Sequence, residues 1–170
     1  MYRMGNVDVD SQAPDFHARD VLGRKISLAG YRGRNNLVLF FYRNSTCQTC
    51  REEMADMAAE YSLISEQDGE VIAIGTDGID MAKNMAVDLH LPYPVISDPA
   101  GEIVRLYRAC DDDTATAFPT MILIDKNGVV RDRKRVEGLN DLVPAGDVVN
   151  KLLIMNRPPG HVPFKSFRHG

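Results

Sequence analysis

Residues 37–42 (LVLFFY) form an unbroken apolar run with polar residues on either side. That is the pattern of a strand buried on both faces, as in a parallel or mixed sheet. Residues 71–76 (VIAIGT) and 121–124 (MILI) repeat it. Between the first two runs the period changes. From Cys47 to about Ser65, Met54, Met57, Ala58, Tyr61 and Ile64 recur at helical spacing, while Arg51, Glu52, Glu53 and Glu60 fall elsewhere. Residues 79–91 read as a second helix, and PYPVISD holds a short strand. A third helix is expected from Pro99 to about Arg108, and a last one from Asp147 to about Asn156. Near the start, residues 16–19 meet VLGRKISL across Leu22-Gly23-Arg24, which predicts a short hairpin. Lys126-Asn127-Gly128 is a second hairpin signal, leading into VVRDRKRVEG.

This order predicts an α/β domain over residues 1–156, with a central mixed sheet flanked by helices as a three-layer structure. Residues 157–170 differ: they are rich in Pro and Gly and carry Arg157, Lys165 and Arg168 with no acid. They read as a surface tail, and as a docking arm only if Val162, Phe164 and Phe167 anchor a partner or a second subunit. A homodimer is compatible with this organisation.

Composition narrows the function classes. With 170 residues, 44% apolar and 26% charged, the chain falls in the globular range. A formal charge of −4 is a poor match to a nucleic-acid or anionic-membrane partner, so no nucleic acid and no membrane are expected. No run approaches the ~18 apolar residues of a membrane-spanning helix. The start, MYRMGNVDVDSQ, has no apolar core of a leader peptide, which makes the cytoplasm the expected compartment. There is no internal repeat and no Gly-rich phosphate loop at a strand-to-helix junction.

The three cysteines change the picture most. Cys47 and Cys50 stand where the apolar run 37–42 gives way to the helical pattern. A close pair in a reducing compartment is catalytic, redox-sensing or metal-binding more often than a structural staple. At the head of a helix, unsatisfied N–H groups and the positive dipole end favour a thiolate over a thiol. Arg43 and Arg51 bracket the pair, and Thr46 or Ser45 is the expected N-cap. Residues three apart share a helix face at ~5–6 Å between Cβ atoms. Modest adjustment brings them to the ~3.8 Å of a disulfide. A zinc site would need two more ligands, and Cys110, His17, His90, His161 and His169 are scattered, so neither metal nor cofactor is expected. Inert buried thiols fit poorly with a polar helix start.

Several segments in chain order resemble the alkyl hydroperoxide reductase/thiol-specific antioxidant family of thioredoxin-fold redoxins. They are APDF (residues 13–16), GRKISLAGYRG (23–33), LVLFFY (37–42), SDPAGEIVRLY (97–107) and MILIDKNGVV (121–130). The resemblance implies a thioredoxin-like fold and a thiol-dependent redox enzyme. It also implies a peroxide or protein-disulfide substrate and a thioredoxin-like reductant.

The active-site segment departs from the family. Its P-x-x-x-T-x-x-C motif places Arg43 at the proline, Cys47 at the threonine and Cys50 at the peroxidatic cysteine. YRNSTCQTCREE also resembles the Y-R-G-x-W-C-P-x-C-R-x-E signature of a peroxiredoxin-like branch, matching at Arg43, Cys47, Cys50, Arg51 and Glu53. The family's second-half arginine has no counterpart. Pro119-Thr120 stands in its region and resembles the cis-proline loop beside a thioredoxin CxxC. Two mechanisms therefore share the same residues. In peroxide reduction, toward which the whole-chain resemblance leans, Cys50 attacks and Cys47 resolves. In dithiol–disulfide exchange, Cys47 attacks and Cys50 resolves. A non-catalytic redox-sensing module is a third reading.

Three further features read structurally. Cys110 is a packing or incidental thiol rather than a distant resolving one. Asp111–Asp113 form an exposed loop. Arg131, Arg133 and Arg135 alternate along one strand face as a charged, solvated edge.

Overall fold

A computed structural model describes residues 7–110 and 116–158. The expectations for the tail beyond residue 158 and for the acidic triplet 111–113 lie outside the described residues.

The apolar run becomes the middle strand of a five-stranded mixed sheet. The strands are β3 (Asn36–Tyr42), β4 (Gly69–Gly75), β5 (Val95–Ser97), β6 (Thr120–Ile124) and β7 (Val130–Arg135), in spatial order β5-β4-β3-β6-β7. β4 runs parallel to β3 and β5 parallel to β4, whereas β6 and β7 are antiparallel neighbours. Every residue of β3 is buried, as an unbroken apolar run requires of a strand covered on both faces. The N-terminal hairpin is also present, pairing β1 (His17–Arg19) with β2 (Lys25–Ser27).

Strand alternation divides the interior into two cores. Leu37, Leu39 and Phe41 face one side with Ile72, Ile74, Ile122 and Ile124. Val38, Phe40 and Tyr42 face the other with Val71, Ala73, Met121 and Leu123. The second core is closed by α1 (Gln48–Ala59), α2 (Tyr61–Glu66), α3 (Ile79–Asp88) and α5 (Ala145–Met155). The first is closed by α4 (Glu102–Leu106) and by Phe16, Ile26 and Leu28 from the hairpin region. Helices thus flank both faces, unequally.

The long helix expected over residues 47–65 is two helices. Glu60 has φ −107° and ψ 18°, closing α1 and opening α2. The apolar stripe continues across the break, with Met54, Met57 and Ile64 fully buried. Beyond the break, the Tyr61 hydroxyl donates to Glu70 on β4 at 2.6 Å, which anchors α2 to the sheet. α4 is shorter than the sequence pattern implies, and the Asp98 carboxylate accepts the N–H groups of Glu102, Ile103 and Val104 at its start. The Asn-Gly turn closes the β6–β7 connection with Gly128 at φ +82°, a conformation that favours glycine.

β7 is an edge strand, and its arginines are engaged rather than merely solvated. Arg131 pairs with Asp125 at 2.7 Å, Arg133 donates to the Arg108 carbonyl at 2.9 Å, and Arg135 lies over the Phe118 ring.

Candidate active site

Where β3 ends at Tyr42, residues 43–46 turn the chain into α1, and several bonds hold this turn. The Ser45 N–H donates to Asp77 at 2.5 Å, and the Ser97 hydroxyl donates to the Asp77 carbonyl at 2.6 Å. Arg51 reaches back from α1 to the Ser45 carbonyl at 2.8 Å, so its guanidinium braces the turn that leads into the thiols. Thr46 is not the cap. Its N–H and hydroxyl both donate to the Asn44 side chain, at 3.0 and 2.8 Å. Cys47 occupies the N-cap instead, and its Sγ accepts the Cys50 N–H at 3.3 Å. The short-range bond to Asn44 takes the hydroxyl away from the helix end and leaves that role to the next side chain.

The two thiols differ sharply in access. Cys47 is half-buried, whereas Cys50 is fully buried, and both are free thiols. Burial pushes the Cys50 thiol well above its ordinary range, and its hydrogen bond with Cys47 acts in the same direction. Opposing them, the Arg43 N–H donates to Cys50 Sγ at 3.4 Å, and the Arg43 charge favours the thiolate.

One turn beyond Cys50 stands Glu53, 1% exposed. Its Oε1 accepts the Val143 N–H at 2.8 Å, while Oε2 has no partner. Burial pushes this carboxyl up to about 7, the Val143 N–H opposes, and the Asp56 charge adds to the rise. The sequence pattern had set Glu53 apart from the apolar stripe. It lies on it, three residues from Cys50 and four from Met57, and that spacing was the available signal.

Behind the pair, the Tyr42 hydroxyl is buried without a partner. Burial first, then the charges of Asp77 and Cys50, raise its pKa. Its ring fills the space over Gly75, where a Cβ would lie 2.3 Å from the ring.

Pro119 precedes β6, whose Thr120 pairs with Phe41, so it borders the end of β3 beside the dithiol turn. Its carbonyl accepts the Val136 N–H at 2.8 Å. No cis peptide bond occurs among the described residues, so the Phe118–Pro119 bond is trans and the likeness to a cis-proline loop stops at sequence. Cys110 packs against the core on the far side of the sheet from Cys50. Among the described residues, no group of three or more His, Cys, Asp or Glu side chains is placed to hold a metal ion. Nor is any helix there long and apolar enough to cross a membrane.

A five-stranded mixed sheet with a dithiol at the strand-to-helix turn defines a thioredoxin-like redoxin. Residues 9–133 match the AhpC/TSA family, and the chain belongs to it. It is a thiol-dependent oxidoreductase. Thiol-disulfide oxidoreductase ResA of Bacillus thuringiensis subsp. konkukian is 33% identical over 125 residues, 73% of this chain and 68% of that protein. Alkyl hydroperoxide reductase E of Mycobacterium bovis is 25% identical over 127 residues, covering 74% of this chain and 83% of the other. The crystal structure of peroxidoxin BcpB from Mycobacterium tuberculosis superposes with a TM-score of 0.79 at 20% identity, over 90% of this chain and all of that one.

Proposed function

We propose that the protein is a dithiol–disulfide oxidoreductase in which Cys47 attacks and Cys50 resolves. One observation carries this order: Cys47 is the half-exposed N-cap of α1, while Cys50 is fully buried with its thiol held protonated by burial. A substrate sulfur therefore meets Cys47 first. The likeness to ResA supports the same chemistry.

In the first step the Cys47 thiolate attacks one sulfur of the substrate disulfide. The S–S bond breaks, and the departing thiolate takes a proton from solvent. In the second step Cys50 loses its proton and attacks Cys47 Sγ. The mixed disulfide breaks, the second substrate thiolate leaves and is protonated, and a Cys47–Cys50 disulfide forms. Two electrons pass to the substrate. Glu53 is the proton acceptor we assign to Cys50: it is one turn away, buried, and poised near neutrality. An external dithiol of thioredoxin type closes the cycle by the reverse exchange.

Peroxide reduction is the second reading, favoured by the family match and by the two Arg43 interactions that stabilise a Cys50 thiolate. There the Cys50 thiolate attacks the O–O bond, releasing water or an alcohol. Cys47 then condenses with the sulfenic acid and releases water.

Trapping separates the two orders. Reduced Cys50→Ser protein mixed with bis(hydroxyethyl) disulfide is expected to accumulate a mixed disulfide on Cys47, read by mass spectrometry, faster than Cys47→Ser protein does on Cys50. The order is wrong if Cys47→Ser protein instead forms a sulfenic acid rapidly with one equivalent of hydrogen peroxide while disulfide exchange at Cys47 stays at the rate of a free thiol.

A further inference from the structure

At the β5 edge of the sheet, the N-terminal hairpin and the end of α3 face each other across a groove of about 400 Å³. Among the described residues that line it, none belongs to the dithiol turn.

One wall is the turn at residues 20–24. The buried Asp20 carboxylate accepts the N–H groups of Leu22 and Arg24, at 3.0 and 2.9 Å, and the Arg24 Nε at 2.7 Å. The Val21 N–H ties this turn to β5 through the Val95 carbonyl at 2.8 Å. A turn held this firmly presents a leucine, Leu22, that is 67% exposed. The other wall is the end of α3. There the Leu91 N–H donates to the Ala86 carbonyl at 3.0 Å, and the His90 N–H to the Val87 carbonyl at 3.1 Å. These two bonds make a Schellman ending, whose left-handed position usually holds glycine. His90 occupies it at φ +53° and lines the groove. Val87 is 66% exposed. The floor includes buried Tyr93, fixed by its hydroxyl on the Met54 carbonyl at 2.6 Å.

We propose that this groove docks a partner protein through an acidic segment carrying an aliphatic side chain, with the aliphatic group between Leu22 and Val87 and a carboxylate on Lys83.

The two exposed apolar side chains set the size of the occupant. Both stand mostly outside the groove, so a ligand that only filled it would leave them in water, whereas a polypeptide laid across the rim covers them. Charge sets the sign. Arg24 and Lys83 line the groove with Asp20 as the single acid, a net positive lining on a chain of formal charge −4. Asp20 is committed to Arg24. Lys83 is exposed and enters no hydrogen bond or ion pair among the described residues, so it is the cation open to an incoming carboxylate. Asp80 and Asp88 of α3 do not line the groove. The same sign disfavours the chain's own basic tail as the occupant. Because backbone bonds already hold both walls, docking has little left to order.

The test titrates isotope-labelled, reduced full-length protein with three acetylated and amidated peptides: SDELLDES, its lysine counterpart SKKLLKKS and its alanine counterpart SDEAADES. The acidic leucine peptide is expected to give saturable amide shifts centred on Leu22, Lys83, Val87 and Leu91, with a Kd below about 1 mM. The other two should bind at least about tenfold more weakly. Lys83→Gln and Leu22→Ala should each weaken the acidic peptide by about tenfold. Both side chains are exposed, and an unchanged Tm checks that the variants keep the fold. No saturable shift at these residues, equal affinity for the lysine peptide, or variants that bind like wild type overturns the proposal. Octanoate binding there more tightly than the acidic peptide also overturns it, and assigns the groove to a small carboxylate. A concentration-dependent dimer abolished by Leu22→Ala overturns it as well, and assigns the groove to a second copy of this chain.

Discussion

Glu53 shows how much one buried side chain contributes to this site. A carboxyl 1% exposed, with one oxygen bonded to Val143 and the other orphaned, resists ionisation until the pH reaches about 7. Its folded value lies above its unfolded one, so between the two the native state binds a proton that the unfolded chain has released. Its stabilising share is complete below the ordinary carboxylate range and is lost as pH rises through about 7. Glu53→Gln keeps an oxygen for Val143 and removes the ionisation. The variant should gain stability relative to wild type between about pH 5 and pH 8, by up to about 3 kcal/mol from the size of the shift. Urea unfolding of both reduced proteins at the two pH values measures this, and parallel pH profiles would show that Glu53 is not the titrating group. The same substitution removes the acceptor assigned to Cys50, so resolution of a trapped mixed disulfide should slow most at pH 8.

At the scale of elements, the site depends on how closely β3 and β4 approach. Tyr42 pairs with Gly75 in register, and the Tyr42 ring occupies the volume a Gly75 side chain would fill. That ring also backs the turn carrying the thiols. Because Tyr42 is fully buried, the ring has no open space to move into. Gly75→Ala should therefore destabilise the protein by about 1–3 kcal/mol through overpacking. It should also disturb the dithiol turn, seen as a changed rate of Cys47 alkylation in the native state. A melting temperature equal to wild type would show that the ring yields freely. α1 contributes the other half of this geometry, since its N-cap is itself one of the two thiols and the helix start and the thiol are one feature.

For the whole molecule, the sheet separates two cores with different consequences. Phe40 faces the core that holds Cys50, Met54 and Met57, while Phe41 faces the one that holds Tyr107 and α4. Both are fully buried, so Phe40→Ala and Phe41→Ala should each cost about 3–5 kcal/mol from lost burial and the cavity left behind. Only the first empties space beside the dithiol helix. Phe40→Ala is expected to alter the disulfide-exchange rate well below its unfolding temperature, and Phe41→Ala to leave that rate near wild type. Equal effects on rate would mean that the sheet transmits the disturbance from either side.

Much of this was legible along the chain. Continuous apolar runs announced β3, β4 and β6, because a strand covered on both faces needs apolar residues at every position. The dithiol was legible too, since two thiols at the end of such a run stand at a helix start whatever surrounds them. Burial depends on partners distant in sequence, and those the chain did not display. Glu53 looks like a surface acid until the fold buries it and Val143 bonds to it. Thr46 looks like a cap until Asn44 takes its hydroxyl. The alternating arginines of β7 look like a solvated edge until Phe118, Asp125 and the Arg108 carbonyl are brought against them. Local sequence determined the order of strands and helices and the place of the cysteine pair. Tertiary packing decided which thiol faces the solvent, which acid is buried and pushed up in pKa, and which residues border the site, because access, dielectric and charge all depend on neighbours that only the fold supplies.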